Sequence, residues 1–338
     1  MMGKREQAAL QRLGEALQQA GYRHTTVTPA THARVNARPG NQLADDLRGV
    51  FGWSRPFRPA VLPGYIFALM QEAGIAVSGD KGWRSLLRAS TLNGNLYFHS
   101  AWPTDDPAAV FFGPDTYRYV AALSQYFATQ NPVQQQQQVR LAADIGCGSG
   151  AGAIELALRL PQTEVMAIDI NEAALQLTQV NAKAAGVSIQ TVNSDLLTQV
   201  EGNFDLIVAN PPYMVDHAQR KYRHGGGALG AALSLSIIDT ALERLNPGGT
   251  LLLYTGSAIV DGVDFFLREV RQRLQGNCSW SYRELDPDVF GEELETDTYA
   301  LADRIAAVFL CAKVPGGISA SQPLVTATTR SAGERERQ

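Results

Sequence analysis

Leu141-Ala142-Ala143-Asp144-Ile145-Gly146-Cys147-Gly148-Ser149-Gly150-Ala151-Gly152 is the stretch that decides the fold. An apolar run ends at Asp144, glycines recur at every second position, and a helical pattern from Ala153 to Leu160 follows at once. That order predicts strand, tight turn, helix. Glycine serves where a backbone turns sharply or lets a ligand come close. Such a turn delivers the ligand to a helix N-terminus at the carboxyl end of a strand. Taken alone, the glycines fit a ligand-free connection equally well.

The residues downstream argue for a ligand. Val165 to Asp169 is a second apolar run ending in a carboxylate, about 20 residues on, where doubly wound folds place a ribose-binding acid. Ile189 to Val192 leads into Asn193-Ser194-Asp195, and Phe204 to Ala209 into Asn210-Pro211-Pro212-Tyr213. Four short strands, each ending in polar or glycine chemistry, predict one crevice along one sheet edge.

The alternation continues to the end of the chain. Strands are expected over 140–145, 164–169, 188–193, 204–209, 250–255, 279–285 and 304–313, and helices over 150–160, 172–185, 230–245 and 261–275. The predicted class is α/β, a Rossmann-like seven-stranded, mostly parallel, doubly wound sheet. The last two strands are joined by Asp286 to Thr298, which holds no crossover helix, so the last strand is expected to run antiparallel.

Upstream, Leu10, Leu13 and Leu17 mark a helix over 5–20. Residues 22–42 read as a loop, Leu43 to Phe51 as a short helix, Tyr65 to Ala73 as a helix and Trp83 to Leu87 as a further helix turn. Asn93-Gly94 signals a hairpin. Asn131 to Gln138 reads as a solvated Gln-rich linker. The expected organisation is a smaller N-terminal α+β substrate-recognition domain over 1–109, a catalytic domain over 110–314 and a disordered tail over 315–338.

Hydrophobic residues make up 45% and charged residues 18%, which suits a globular chain with a sizeable core. The net charge of −4 gives no global attraction to nucleic acid. Its distribution is uneven, with 13 Lys/Arg against 9 Asp/Glu in residues 1–139 and 16 against 24 in the remainder. Cys147, Cys278 and Cys311 are too far apart in sequence to suggest a disulfide framework or a zinc site. His24, His32, His99 and His217 have no partners at ligand spacing, so no metal is expected. The first 20 residues lack a signal-peptide core and no apolar run reaches membrane-spanning length. A cytoplasmic location without membrane partners is the simplest expectation.

Asp144-x-Gly146-x-Gly148-x-Gly150, Asp169, Asp195 and Asn210-Pro211-Pro212-Tyr213 together resemble class I S-adenosylmethionine-dependent methyltransferases with an Asn-Pro-Pro-Tyr signature. That signature is shared by amino-group methyltransferases acting on adenine or guanine and by HemK-type enzymes that methylate the glutamine side-chain amide of release factors. Gly113-Pro114-Asp115-Thr116 is similar to a segment HemK-type enzymes carry before their first strand, with Gly113 where that family usually has Arg. A Glu-Pro pair usual for that family after the signature is missing. Residues 1–109 resemble no family.

The resemblance implies S-adenosyl-L-methionine as cofactor. Gly146, Gly148 and Gly150 would line its methionine part, Asp144 would help fix its amino group, and Asp169 would hold the ribose hydroxyls. Asp195 would accept from the adenine amino group, with Leu196 packed on the ring. A helix cap is the structural alternative for both Asp169 and Asp195. Asn210, Pro211, Pro212 and Tyr213 would be catalytic, with Asn210 also touching the cofactor. The Asn210 side-chain carbonyl and the Pro211 carbonyl can each accept a hydrogen bond from an NH2 on a planar π-system, and Tyr213 can stack on that system. Prolines fix the direction of the backbone carbonyls.

Tyr222-Arg223-His224-Gly225-Gly226-Gly227 reads as either a substrate-gating loop or a plain connector. Cys147 fits the glycine turn as a small apolar residue. Arg34, Arg38, Arg48, Arg55 and Arg58 suit a phosphate grip or an ordinary solvated face. The expected activity is N-methylation of a planar amide or exocyclic amino nitrogen, in a release-factor or ribosome-associated protein or in a nucleic acid. A small-molecule amine acceptor stays open. The alternatives from other classes are a nicotinamide-dependent oxidoreductase and a nucleic-acid-binding module without catalysis.

Overall fold

The computed structural model describes residues 2–104, 106–215, 223–227 and 229–316. Its large sheet has the strand order Ser279–Asp286, Arg304–Lys313, Leu245–Val260, Phe204–Ala209, Leu141–Ile145, Glu164–Asp169, Gln190–Asn193, with Val263–Asp264 pairing off this path. Neighbours from Gln190–Asn193 across to Leu245–Val260 pair in parallel. Arg304–Lys313 is antiparallel to both strands beside it. The expected doubly wound sheet with its antiparallel last strand is present.

Period-two alternation sorts the strand residues onto two faces. Ala143, Ile145, Ile207, Ala209, Leu251 and Leu253 join a core with the helices Ala232–Arg244 and Phe265–Leu274. Ala142, Val165, Ala167, Val208, Leu252 and Tyr254 face the helices Pro114–Ala128 and Ala151–Arg159. Both faces are covered, which is why these strands are near-continuous apolar runs.

Register sets the site. Ile145 pairs with Ile168 and with Ala209, and Asp169 pairs with Asn193. Gly146, Asp169 and Asn210 each lie one residue beyond those level partners, so three strand ends present them side by side.

The N-terminal part holds the helices Lys4–Gln19, Pro29–Asn36, Leu47–Phe51 and Gly64–Glu72 and two hairpins, Ala76–Gly79 with Gly82–Ser85 and Leu87–Leu92 with Asn95–Ser100. Leu10, Leu13, Leu17, Ile66 and Met70 are fully buried there, each stabilising by about 1.5–3 kcal/mol. The same cluster takes in Ala174, Leu177 and Val180 of the helix Glu172–Ala184. Asn181 on that helix is fully buried: it accepts from Phe98 N at 2.8 Å and donates to Phe98 O at 3.0 Å and Ser149 O at 2.9 Å. One amide thereby ties the second hairpin to the glycine turn.

Four local expectations are corrected. Residues 22–42 are not all loop, because Thr28 caps the helix Pro29–Asn36 by accepting from Thr31 N, with Pro29 in the first turn. Trp83 lies on a strand, not in a helix turn, since Gly82–Ser85 pairs with Ala76–Gly79 and Trp83 bridges Phe57. The Gln-rich stretch is the helix Pro132–Gln138, started by Asn131 Oδ1 accepting from Val133 N at 3.0 Å; glutamine is a good helix former. The strand expected over 250–255 runs Leu245–Val260, because the antiparallel neighbour carries its ladder out to Ile259 and Phe204 pairs with Leu245 at the other end. Tyr222, His217 and the tail beyond residue 316 lie outside the described residues. No helix among the described residues is long and apolar enough to cross a membrane.

Candidate active site

A cavity of about 480 Å³ opens at the carboxyl ends of the central strands, within the range of small-molecule sites. Its wall includes Asp144, Gly146 and Gly148 from the glycine turn, Asp169, then Asp195 with Leu196, then Asn210 to Tyr213. Residues separated in sequence by up to 69 positions are gathered by strand register alone. Gly150 stands outside that wall.

The turn is held from below. Gly146 N and Cys147 N both donate to Ile168 O, at 2.8 and 3.0 Å. Gly148 N donates to Asp169 Oδ2 at 2.9 Å. Gly146 and Gly148 have φ +71 and +55, and a Cβ on either would meet nothing within 4 Å. Both face open cleft, and the left-handed backbone keeps side chains out of it. Gly150 begins the helix Ala151–Arg159 at φ +84, where a Cβ would meet Thr178 Cγ2 at 2.8 Å. Its need for glycine comes from packing on the next helix.

Asp169 Oδ1 accepts from Asn171 N at 2.9 Å. The helix Glu172–Ala184 is capped by Asn171, whose Oδ1 accepts from Ala173 N. Asp169 is therefore not the cap. Two backbone N–H groups fix its carboxylate at the cavity wall. Asp195 is exposed at the cavity rim, and no helix follows it directly. Leu196 beside it has φ +51.

Asp144 is fully buried. Its Oδ2 accepts from Ala153 N at 2.8 Å and its Oδ1 from the Tyr119 hydroxyl at 3.2 Å. A Cβ on Gly152 would lie 2.5 Å from the Tyr119 hydroxyl and 2.7 Å from Asp144 Oδ2, so only glycine leaves this pair intact. Burial pushes the Asp144 carboxyl up to about 7, against the pull of Ala153 N and Tyr119. A carboxylate raised in the folded state favours folding most below its unfolded value near 4, and that advantage is lost as pH rises to about 7. Asp144→Asn keeps the shape without the charge. Its stability relative to wild type is expected to improve by a few kcal/mol between about pH 4.5 and 8, since each tenfold change in proton affinity is worth about 1.4 kcal/mol. Urea unfolding at the two pH values measures this; parallel pH curves for the two proteins would overturn it.

Asn210 is half-buried at the cavity wall. Among the described residues, neither its side chain nor the Pro211 carbonyl has a hydrogen-bond partner. Tyr213 is buried, edge-on to Phe290 with ring centroids 5.9 Å apart and tilted against Tyr254 at 6.4 Å. Beneath it, Asp115 Oδ1 accepts from the Tyr254 hydroxyl at 2.6 Å and Arg118 bridges Asp115 and Asp286, at 3.5 and 2.8 Å. The Gly113-Pro114-Asp115-Thr116 segment thus clamps the strand under the signature.

Gly256 supplies the bed for Tyr213. A Cβ there would lie 2.2 Å from Tyr213 Cδ2. Gly256→Ala is expected to push the signature out of place, at about 1–3 kcal/mol of stability. Because Gly256 stands outside the cavity wall, donor binding should survive while turnover falls at least about tenfold, the equivalent of 1.4 kcal/mol. S-adenosylhomocysteine calorimetry beside a methyl-transfer assay would expose the opposite pattern.

The N-terminal part adds Thr28, Pro29 and Trp102 to the cavity wall, and Phe111 joins them. Arg223, from the segment after the signature, pairs with Glu293, and His224 bridges Met214. Sequence alone did not reveal Tyr119, Asn181, Gly256 or Phe290. Each reads as an ordinary core or loop residue, and only its tertiary partner gives it a role. Among the described residues no group of three or more His, Cys, Asp or Glu is placed to hold a metal ion.

The cavity fits S-adenosylmethionine on its own evidence: a glycine cradle that any Cβ would narrow, a fixed carboxylate after the second strand and a further acid after the third. Residues 123–261 match the family model of the methyltransferase small domain. The chain is 33% identical over 161 residues to the release factor glutamine methyltransferase of Koribacter versatilis, covering 44% of this chain and 54% of that protein. It is 34% identical over 136 residues to the ribosomal protein uL3 glutamine methyltransferase of Neisseria gonorrhoeae, covering 37% and 46%. The chain spans about half the length of the curated relatives it matches. Among solved structures, a methyltransferase from Pyrococcus furiosus superposes with a TM-score of 0.37 at 19% identity, covering 55% of this chain and 84% of that one. A likeness that loose bears on neither substrate nor mechanism.

Proposed function

We propose, from a chain whose residues 123–261 match the methyltransferase small domain, that this protein is an S-adenosylmethionine-dependent N-methyltransferase acting on a glutamine side-chain amide of a protein. The observation that carries the proposal is the pairing, in one cavity, of the glycine cradle and Asp169 with two carbonyl acceptors that have no partner among the described residues, Asn210 Oδ1 and Pro211 O. A planar NH2 has two hydrogens and a delocalised lone pair. Two fixed acceptors hold both hydrogens and favour a more nucleophilic nitrogen.

The bound cofactor would supply a methyl group already activated on a sulfonium. The chain supplies alignment and a preorganised polar environment. Asp169 would hold the ribose hydroxyls with the lone pairs left by Gly148 N and Asn171 N, since a carboxylate accepts several bonds at once. Asp195 and Leu196 would take the adenine, and Asp144 the amino group. Tyr213, seated on Gly256 and against Phe290, fixes the position of the two carbonyls. Residues 1–109, which bring Thr28, Pro29 and Trp102 to the cavity wall, would select the acceptor.

A nicotinamide-dependent oxidoreductase gives no role to Asn210-Pro211-Pro212-Tyr213. The glutamine methyltransferases among the relatives favour a protein amide over a nucleobase. Calorimetry with S-adenosylhomocysteine and with NADH separates the classes; tight binding of NADH alone would end the proposal. Tritiated methyl transfer into a fractionated cell extract then tests the acceptor, with label expected in protein at glutamine. Label confined to RNA, DNA or small molecules would refute the substrate half.

A further inference from the structure

Beside the main cavity lies a small annex of about 40 Å³, lined by Thr26, His32, Arg88, His99, Trp102 and Phe111. Trp102 and Phe111, with Pro29, Thr104 and Pro114, line both spaces, so the annex and the main cavity share a wall. One water needs roughly 10–15 Å³ by this measure, so the annex suits a group the size of a carboxylate or phosphate.

Arg88 is 4% exposed, and among the described residues no carboxylate pairs with it. Its Nε donates to Gly52 O at 2.9 Å, and its Nη2 is buried with no partner. Asp46, whose charge reaches His24, accepts from Gly49 N and Arg48. A buried cation without a counter-charge is costly, and such groups are normally paired.

A second donor is fixed by its neighbours. Arg55 Nε donates to Asn36 Oδ1 at 2.8 Å, and Asn36 Nδ2 donates to Trp53 O at 2.9 Å, which settles the orientation of that amide. The same Nδ2 lies 3.0 Å from His32 Nε2. With that amide donating to Nε2, the ring proton sits on Nδ1, which is buried with no hydrogen-bond partner among the described residues, while the Trp53 backbone also interacts with the ring. Burial and the Arg88 charge hold His32 neutral, its pKa drawn down to about 4. Two buried donors, one of them cationic, thus belong to side chains around one small space, and among the described residues no acid matches them.

We infer that this annex is an oxyanion subsite of the acceptor cleft, where Arg88 and His32 receive a carboxylate or phosphate group carried by the methyl acceptor. The assignment to the acceptor rests on the methyltransferase reading; the anion site itself does not. His32 lies between the rings of Trp53 and Trp102, at 5.5 and 5.3 Å, so tryptophan fluorescence reports occupancy.

The test titrates the full chain with sodium phosphate and, separately, sodium acetate, against sodium chloride at matched ionic strength. Wild type, Arg88→Met and His32→Phe are compared, each checked for folding by circular dichroism and for S-adenosylhomocysteine binding by calorimetry. Saturable binding of at least one oxyanion to wild type is expected, weakened at least about tenfold in both variants while S-adenosylhomocysteine binding stays within about threefold; in energy, tenfold is 1.4 kcal/mol. Preference for acetate assigns a carboxylate and preference for phosphate a phosphate. No oxyanion binding beyond chloride, or equal binding in all three proteins, overturns the inference. If one variant fails to fold, the other carries the comparison. Loss of S-adenosylhomocysteine binding in wild type would sink the methyltransferase reading and leave the anion result standing.

Discussion

Replacing Asn210 with Ala is expected to lower methyl transfer by about 10²–10³-fold, the loss seen when one preorganised polar group is removed from a reacting centre. Asn210 follows directly on the strand Phe204–Ala209, level with Gly146 and Asp169. Its side chain is half-buried and makes no hydrogen bond among the described residues, so the substitution removes no hydrogen bond among them. Stability should change by less than about 0.5 kcal/mol, as for surface changes away from special features. S-adenosylhomocysteine affinity should stay within a few-fold, because the cradle and Asp169 are untouched. The three readouts are a tritium transfer assay, thermal unfolding and calorimetry. An unchanged rate, or a loss of donor affinity as large as the loss of rate, would mean the amide does not work on the acceptor.

Asp169→Ala has the second large effect, and on binding. The carboxylate accepts from Gly148 N at 2.9 Å and from Asn171 N at 2.9 Å while lining the cavity. Hydrogen bonds to a charged group contribute about 1.5–3 kcal/mol each, so the variant should lose stability as well as its ribose contacts. S-adenosylhomocysteine affinity is expected to fall more than about 100-fold, or 2.7 kcal/mol. Asp169→Asn retains an acceptor oxygen but no charge, and should fall between the two. If Asp169 served only the turn, affinity measured well below the unfolding temperature would match wild type in both variants.

The two sides of the site differ in how much the sequence revealed. Gly146, Asp169, Asp195 and Asn210 sit at strand ends, where period-two apolar runs stop abruptly, so strand and site were found by one signal. Fold class, the antiparallel last strand and the four strand ends follow from that pattern. Residues 22–42 and 83–87 depart from their local pattern because their structure depends on a single cap or on a partner strand, Thr28 in one and Ala76–Gly79 in the other.

Sequence by itself determined the sheet and the row of polar residues at its edge, because alternation and chain reversal are local properties of the backbone. Tertiary structure alone decided what lies opposite that row. Asn181 binding Phe98, Asp115 reaching Tyr254 across 139 positions, and Arg88 beside His32 with no acid among the described residues are meetings between distant segments. No periodicity encodes them, since which side chains share a buried space depends on how separate faces pack and on which polar groups that packing leaves unpaired.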